Sequence, residues 1–417
     1  MKTPTPKATK TVYPIICQIV NAIPNQFIAE AAKAHGVLSR TFSPKSHVAA
    51  MPCCQASKTE SPSSICDVAR ANEALWTRRN TLSNANAVRP AAMAKDLYWK
   101  TYGHLTGIAP KSGKGPHRGC CFRIKAPTFA VDSSTVRLTM NSFDWARHRR
   151  EKAAAKLHLT FDLGNRLPSF AIVEDAAHHD SVRAAELTAH LRAGDVADRA
   201  YTDFGFMDGL DARGVQFVTR QKRNMRMRVA KRLMDPVAPT SKRTTQILAD
   251  EIVVPERKSS AGKYGGTLRR VTAMVEMQGR MKTMEFLTNS LKWSARTVAE
   301  VYRDRWGIET FFKKPRQTCQ IHDFIGHGEN AVQWQVWTGL LAHLLLRYLA
   351  YLSKWGLSFS RLAALVRGVL WNRHRLFETL RLYGTASPVK SPAARPKRLV
   401  FQLVLDFIPA GMGQQTR

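Results

Sequence analysis

The chain has 417 residues, 44% of them hydrophobic, which supports a large core and two or three domains. It carries 64 Lys and Arg against 31 Asp and Glu, a net charge of +33. That balance points to a polyanionic partner, nucleic acid first; the hydrophobic content disfavours a ribosomal-type basic protein, and no basic amphipathic helix stands out as a membrane anchor.

Lys2, Lys7 and Lys10 precede VYPIICQIVNAI. Pro14, Gln18 and Asn21 interrupt that run and no small-residue cleavage site follows, so it reads as a short buried element and not a signal peptide. Residues 1–23 are a basic leader, and 24–120 read as a helical domain with breaks at Ser43-Pro44 and Ser61-Pro62. Seven cysteines occur without a C-x-x-C spacing, and the adjacent pairs Cys53-Cys54 and Cys120-Cys121 suit neither disulfides nor a zinc knuckle. Reduced thiols in a cytosolic protein are the expectation.

From Thr128 the pattern turns to strands. FAVDSSTVRL (129–138) is the first. KLHLTFDL, Gly164-Asn165 and PSFAIVE form a hairpin signal, with Leu157, Leu159, Phe161 and Leu163 alternating onto one face. SVRAAELTAHLRA (181–193) predicts a helix, then come a short strand near Val196 and another at VQFVTR (215–220). The order indicates a mixed α/β sheet. Residues 221–296 read as a β-rich insertion, and three further helices are predicted near 330–353, 358–371 and 373–383. The apolar run 336–352 carries His343 and Arg347, so it predicts a core helix and not a membrane span.

Thr297 to Gln317, TVAEVYRDRWGIETFFKKPRQ, predicts one helix opened by a Thr297–Glu300 capping box. At roughly 100° per residue, Tyr302, Arg305, Glu309 and Arg316 fall within an arc of about 60°. One carboxylate among cations is what metal-dependent cleavage of nucleic acid requires. Two more acids stand out: Asp132, inside an apolar strand, and Asp198, at the end of a short one. Each has a plainer reading, as a turn cap and as an ion pair with Arg199 respectively. RQKRNMRMRVAKR (220–232) holds 7 Lys or Arg, a second basic signal beside FDWARHRREKAAAK.

At these residues the chain resembles the DDE transposases of bacterial insertion sequences, in the insertion-sequence-four group. The likeness runs from about Phe27 to about Thr385 and is strongest in AVDSSTVRL, DRAYTDF and the Tyr302–Arg316 helix. The group's signature is Tyr, two residues, Arg, three residues, Glu, six residues, Lys; Arg316 stands here where Lys is expected. The resemblance implies an RNase H-like core (121–353, with 221–296 inserted), a helical DNA-binding N-terminal domain, C-terminal helices (354–385) and a basic Pro-rich tail (386–417). It implies a metal triad of Asp132, Asp198 and Glu309 holding two magnesium ions, with manganese able to substitute. Tyr302, Arg305 and Arg316 would contact DNA, with Lys313 able to replace Arg316, because Pro315 interrupts the helix. Trp293 is a candidate for stacking on a flipped base, with a core position as the plainer reading. The implied partner is double-stranded DNA, element ends and target, bound by a homodimer with no membrane, in a bacterial cytoplasm at the nucleoid. The alternatives are a structure-selective nuclease or resolvase on the same fold, and a catalytically impaired DNA-binding remnant.

Overall fold

Alternation of apolar residues sets the middle of the molecule. In the computed structural model β3 (Lys152–Asp162) and β4 (Leu167–Asp175) pair antiparallel, and Leu157, Leu159 and Phe161 are all buried on one face. The structure describes residues 13–384 apart from 39–40, 58–60, 73–76, 109–127, 138–146, 149–151, 165–166, 176–182, 184–185, 190, 192–194, 198–202, 240–244, 257–262, 278–279, 306–325 and 327.

The remaining strands are β1 (Phe129–Arg137), β2 (Arg147–His148), β5 (Asp195–Ala197), β6 (Phe217–Arg220), β7 (Met227–Met234), β8 (Gln246–Pro255), β9 (Leu268–Met277) and β10 (Arg280–Thr288). Their order is β2-β3-β1-β5-β6-β10-β9-β8-β7, with β4 also on β3. β1 pairs antiparallel with β3 and parallel with β5, and β5 pairs parallel with β6. The strands expected as a β-rich insertion lie in the same sheet. β10 pairs with β6, so β7 to β10 extend the central sheet.

Partners in a register share a face. One face therefore runs from Asp132 and Ala130, across the backbone of β5, through Val218, Phe286 and Val271 to Asp250. Helix α8 (Ala295–Asp304) packs on it, across β6, β8, β9 and β10. The opposite face carries Phe217, Val253, Leu268 and Leu287 and is covered by α7 (Phe204–Ala212) through Phe204, Met207 and Leu210.

Six helices precede the sheet: α1 (Ile15–Val20), α2 (Asn25–Ala34), α3 (Pro44–Ser57), α4 (Pro62–Ala71), α5 (Arg79–Val88) and α6 (Ala91–Ile108). Three follow it: α9 (Glu329–Leu352), α10 (Phe359–Val369) and α11 (Leu376–Gly384). The VYPIICQIVNAI segment forms α1, whose first N–H groups need outside acceptors. Ile15 and Ile16 donate to the carbonyls of Asn372 and Leu370, beyond the end of α10. α9 packs on α3, α5 and α6 and buries Trp334, Leu340 and Leu345 completely. Asn330 fastens its first turn: Nδ2 donates to the carbonyls of Asn86, Ala87 and Arg89, and Oδ1 accepts from Ala91 N. Tyr98 on α6 donates to Pro168 O on β4 at 2.9 Å, and Trp99 stacks on Phe170. Leading helices, sheet and trailing helices thus share one apolar cluster. Among the described residues, no helix is long and apolar enough to cross a membrane.

Candidate active site

Asp132 sits four residues into β1, in a run whose β-branched Val131 and Thr135 favour a strand. Its backbone lies opposite Leu159 of β3, and its side chain is 13% exposed. Oδ1 accepts from Ser133 N–H at 2.9 Å. A carboxylate in that setting needs a countercharge. Helix α8 provides it.

α8 starts at Ser294, whose Oγ accepts from Thr297 N–H at 3.1 Å. The N-cap therefore lies three residues before the expected Thr297–Glu300 capping box, and Glu300 instead pairs with Arg296 at 3.1 Å. The helix buries Val298, Val301 and Tyr302, and Arg305 closes it with helical dihedrals. Tyr302 is 3% exposed, its ring 4.8 Å from that of Phe286 on β10. The Arg305 guanidinium lies 5.2 Å from the Tyr302 ring centroid, a cation–π contact. Its Nη1 stands 4.0 Å from Asp132 Oδ2, with the arginine side chain 5% exposed. The guanidinium offsets part of the desolvation of the carboxylate.

Three of the sequence-derived site residues, Asp132, Tyr302 and Arg305, are thus in one place. Asp198, Glu309, Arg316 and Lys313 lie outside the described residues, as do Pro315 and Trp306. Val131 and Ala197, the residues directly before the two aspartates, are register partners on parallel strands. Among the described residues no group of three or more His, Cys, Asp and Glu is arranged to hold a metal ion. Trp293 is half-buried against the core.

Sequence reasoning missed what seats α8. Arg269 on β9 makes a fork–fork pair with Asp250 on β8, at 2.7 and 2.6 Å, with both residues buried. Its Nη1 also donates to Trp293 O at 2.6 Å, directly before the Ser294 cap. Arg270 pairs with Glu251 alongside, at 2.6 Å. The signal was present as an acid pair in ILADEIVV and a basic pair in LRRV, two candidate neighbouring strands.

Residues 124–345, just over half of the chain, match the family described as transposase DDE domain. The chain belongs to that family. It is an enzyme of DNA transposition, from a family whose members act on DNA and use divalent metal ions. It is 25% identical over 327 residues to the putative transposase y4zB of Sinorhizobium fredii, covering 78% of this chain and 86% of the relative. It is 28% identical over 227 residues to a probable transposase for insertion sequence element IS5377 of Geobacillus stearothermophilus, covering 54% and 58%. Among solved structures it is similar to the piggyBac transposase synaptic complex with hairpin DNA, at 12% identity and a TM-score of 0.42, over 95% of this chain and 85% of that one.

Proposed function

We propose that this enzyme nicks the ends of an insertion sequence of the four group and joins the freed 3′ hydroxyl to target DNA. The reading places Asp132, Asp198 and Glu309 as the carboxylates of one active site on an RNase H-like core. The observation that carries it is the register Val131 to Ala197 beside the Asp132–Arg305 contact. The order β4-β3-β1-β5-β6, two antiparallel pairings followed by two parallel ones, supports the RNase H-like reading.

Asp132 fits a hard divalent cation, being an oxygen donor with partial solvent access. Asp198 and Glu309 would complete the set. A magnesium pair, replaceable by manganese, would supply the charge that lets the carboxylates converge and would stabilise the leaving oxygen of a phosphodiester. The chain's own residues do the rest. Arg305 orients Asp132 and presents a guanidinium toward the phosphate that approaches it. Tyr302 fixes that guanidinium by its ring face. Arg316, or Lys313 in its place, would hold the DNA backbone farther along, in a dimer that brings two ends together.

The test is cleavage and strand transfer on DNA carrying the element's own ends. Asp198→Asn and Glu309→Gln should each abolish magnesium-dependent nicking and leave end binding intact. Nicking at the wild-type rate by either variant overturns the assignment, and nicking without joining by the wild type makes the chain a nuclease.

A further inference from the structure

We propose that the edge strand β7 is a separate phosphate-binding surface for duplex DNA, formed by Arg226, Arg228 and Lys231. The proposal rests on DNA being the substrate and adds a second contact remote from the carboxylates. β7 is the last strand of the sheet, and among the described residues no strand pairs with its outer side. Its pairing with β8 slips between Val229 and Lys231, leaving Ala230 as an extra residue. Without that bulge Arg228 and Lys231, three apart, would point to opposite faces. With it they pair with Val254 and Ile252, two positions apart on β8, and so share a face. Arg226, whose carbonyl accepts from Glu256 N–H, continues the same parity. All three side chains are exposed.

The other cation of the strand serves the fold. Arg232 falls on the opposite face and lies 3.8 Å from Glu251. Arg226, Arg228 and Lys231 have no ion pair among the described residues. The approach to the strand is fixed too. Gln221 donates through Nε2 to Met225 O, and its backbone N–H donates to Glu285 O. One or two lysines on an edge suffice to discourage strand-to-strand aggregation. A bulge that aligns three cations at a recurrence of about 7 Å does more, since it matches a row of successive phosphates.

The sheet also fixes where this row lies. The register puts Arg228 and Lys231 on the same side of the sheet as Asp132, at the far edge beyond α8, which covers β6, β8, β9 and β10 between them. Six inter-strand steps separate β1 from β7, which is about 29 Å at about 4.8 Å each. That span is on the order of eight or nine base pairs of duplex. The two contacts are therefore separated by less than one helical turn of duplex, with α8 between them.

The experiment is duplex binding by the full chain as a function of salt, with divalent ions chelated so that no cleavage occurs. Failure of the catalytic assignment then leaves this measurement intact. Arg226→Ala/Arg228→Ala/Lys231→Ala should lower the slope of log K against log salt by about 2–3, equally for unrelated sequences. Removal of three exposed cations on α10 and the connections either side of it, Lys354→Ala/Arg361→Ala/Arg373→Ala, should leave the slope unchanged. Thermal unfolding of both variants checks that the fold persists. An unaltered slope in the β7 variant, or an equal fall in both, overturns the proposal.

Discussion

Arg305 on α8 and Asp132 on β1 face each other across 4.0 Å, with the tyrosine ring of residue 302 against the arginine. Replacing Arg305 with Ala should lower single-turnover DNA nicking by about 10²-fold or more, the scale seen when a preorganised charged donor is removed. Arg305→Lys should recover only part of that loss, because an ammonium lacks the planar fork and the ring stacking. Nicking by the lysine variant at the wild-type rate would mean that charge alone is needed there.

Tyr302 is buried between Phe286 and Arg305. Tyr302→Phe keeps the ring and should change unfolding free energy by less than about 1.5 kcal/mol. Tyr302→Ala removes it and should cost about 3–5 kcal/mol. Denaturant titration separates the two, and a marked loss of nicking in the phenylalanine variant at full stability would assign the work to the hydroxyl.

Arg269 holds Asp250 and the carbonyl ahead of α8 together. Arg269→Ala should destabilise by about 3–5 kcal/mol, since it strands a buried carboxylate. The double variant Arg269→Met/Asp250→Leu should regain most of that stability but not the nicking rate, because Trp293 O loses its donor and α8 its anchor. Full recovery of both would reduce Arg269 to a structural role.

His47 packs between Phe42 and Trp334, 4.3 Å from the latter. Burial, aided by Arg89, lowers its pKa from the ordinary 6.5 to about 3. Between those values the unfolded chain binds a proton that the folded chain refuses, so stability is complete above pH 6.5 and falls on acidification toward pH 3. The slope approaches about 1.4 kcal/mol per pH unit. His47→Phe should flatten this dependence in thermal melts taken across that window; an unchanged pH profile would show that other groups carry it.

The β3–β4 hairpin could be read because Leu157, Leu159 and Phe161 announce their face by alternation alone. The start of α8 was misread for a local reason. Ser294 and Thr297 are equally good caps by composition, and the choice is made by Arg269, distant in sequence, which fixes the chain at Trp293. The joining of β10 to β6 was likewise illegible, since strand patterns do not state their partners. Asp132 was legible as an acid in an apolar strand. Its contact with Arg305 was not, because that pairing depends on how α8 crosses the sheet.

Asn330 sets the order in which the molecule can be made. It bonds the carbonyls of Asn86, Ala87 and Arg89 and the N–H of Ala91 from a position about 240 residues later. During synthesis, the leading helices therefore wait, with the surface that will meet Trp334 still wet, while every strand of the sheet emerges from the ribosome.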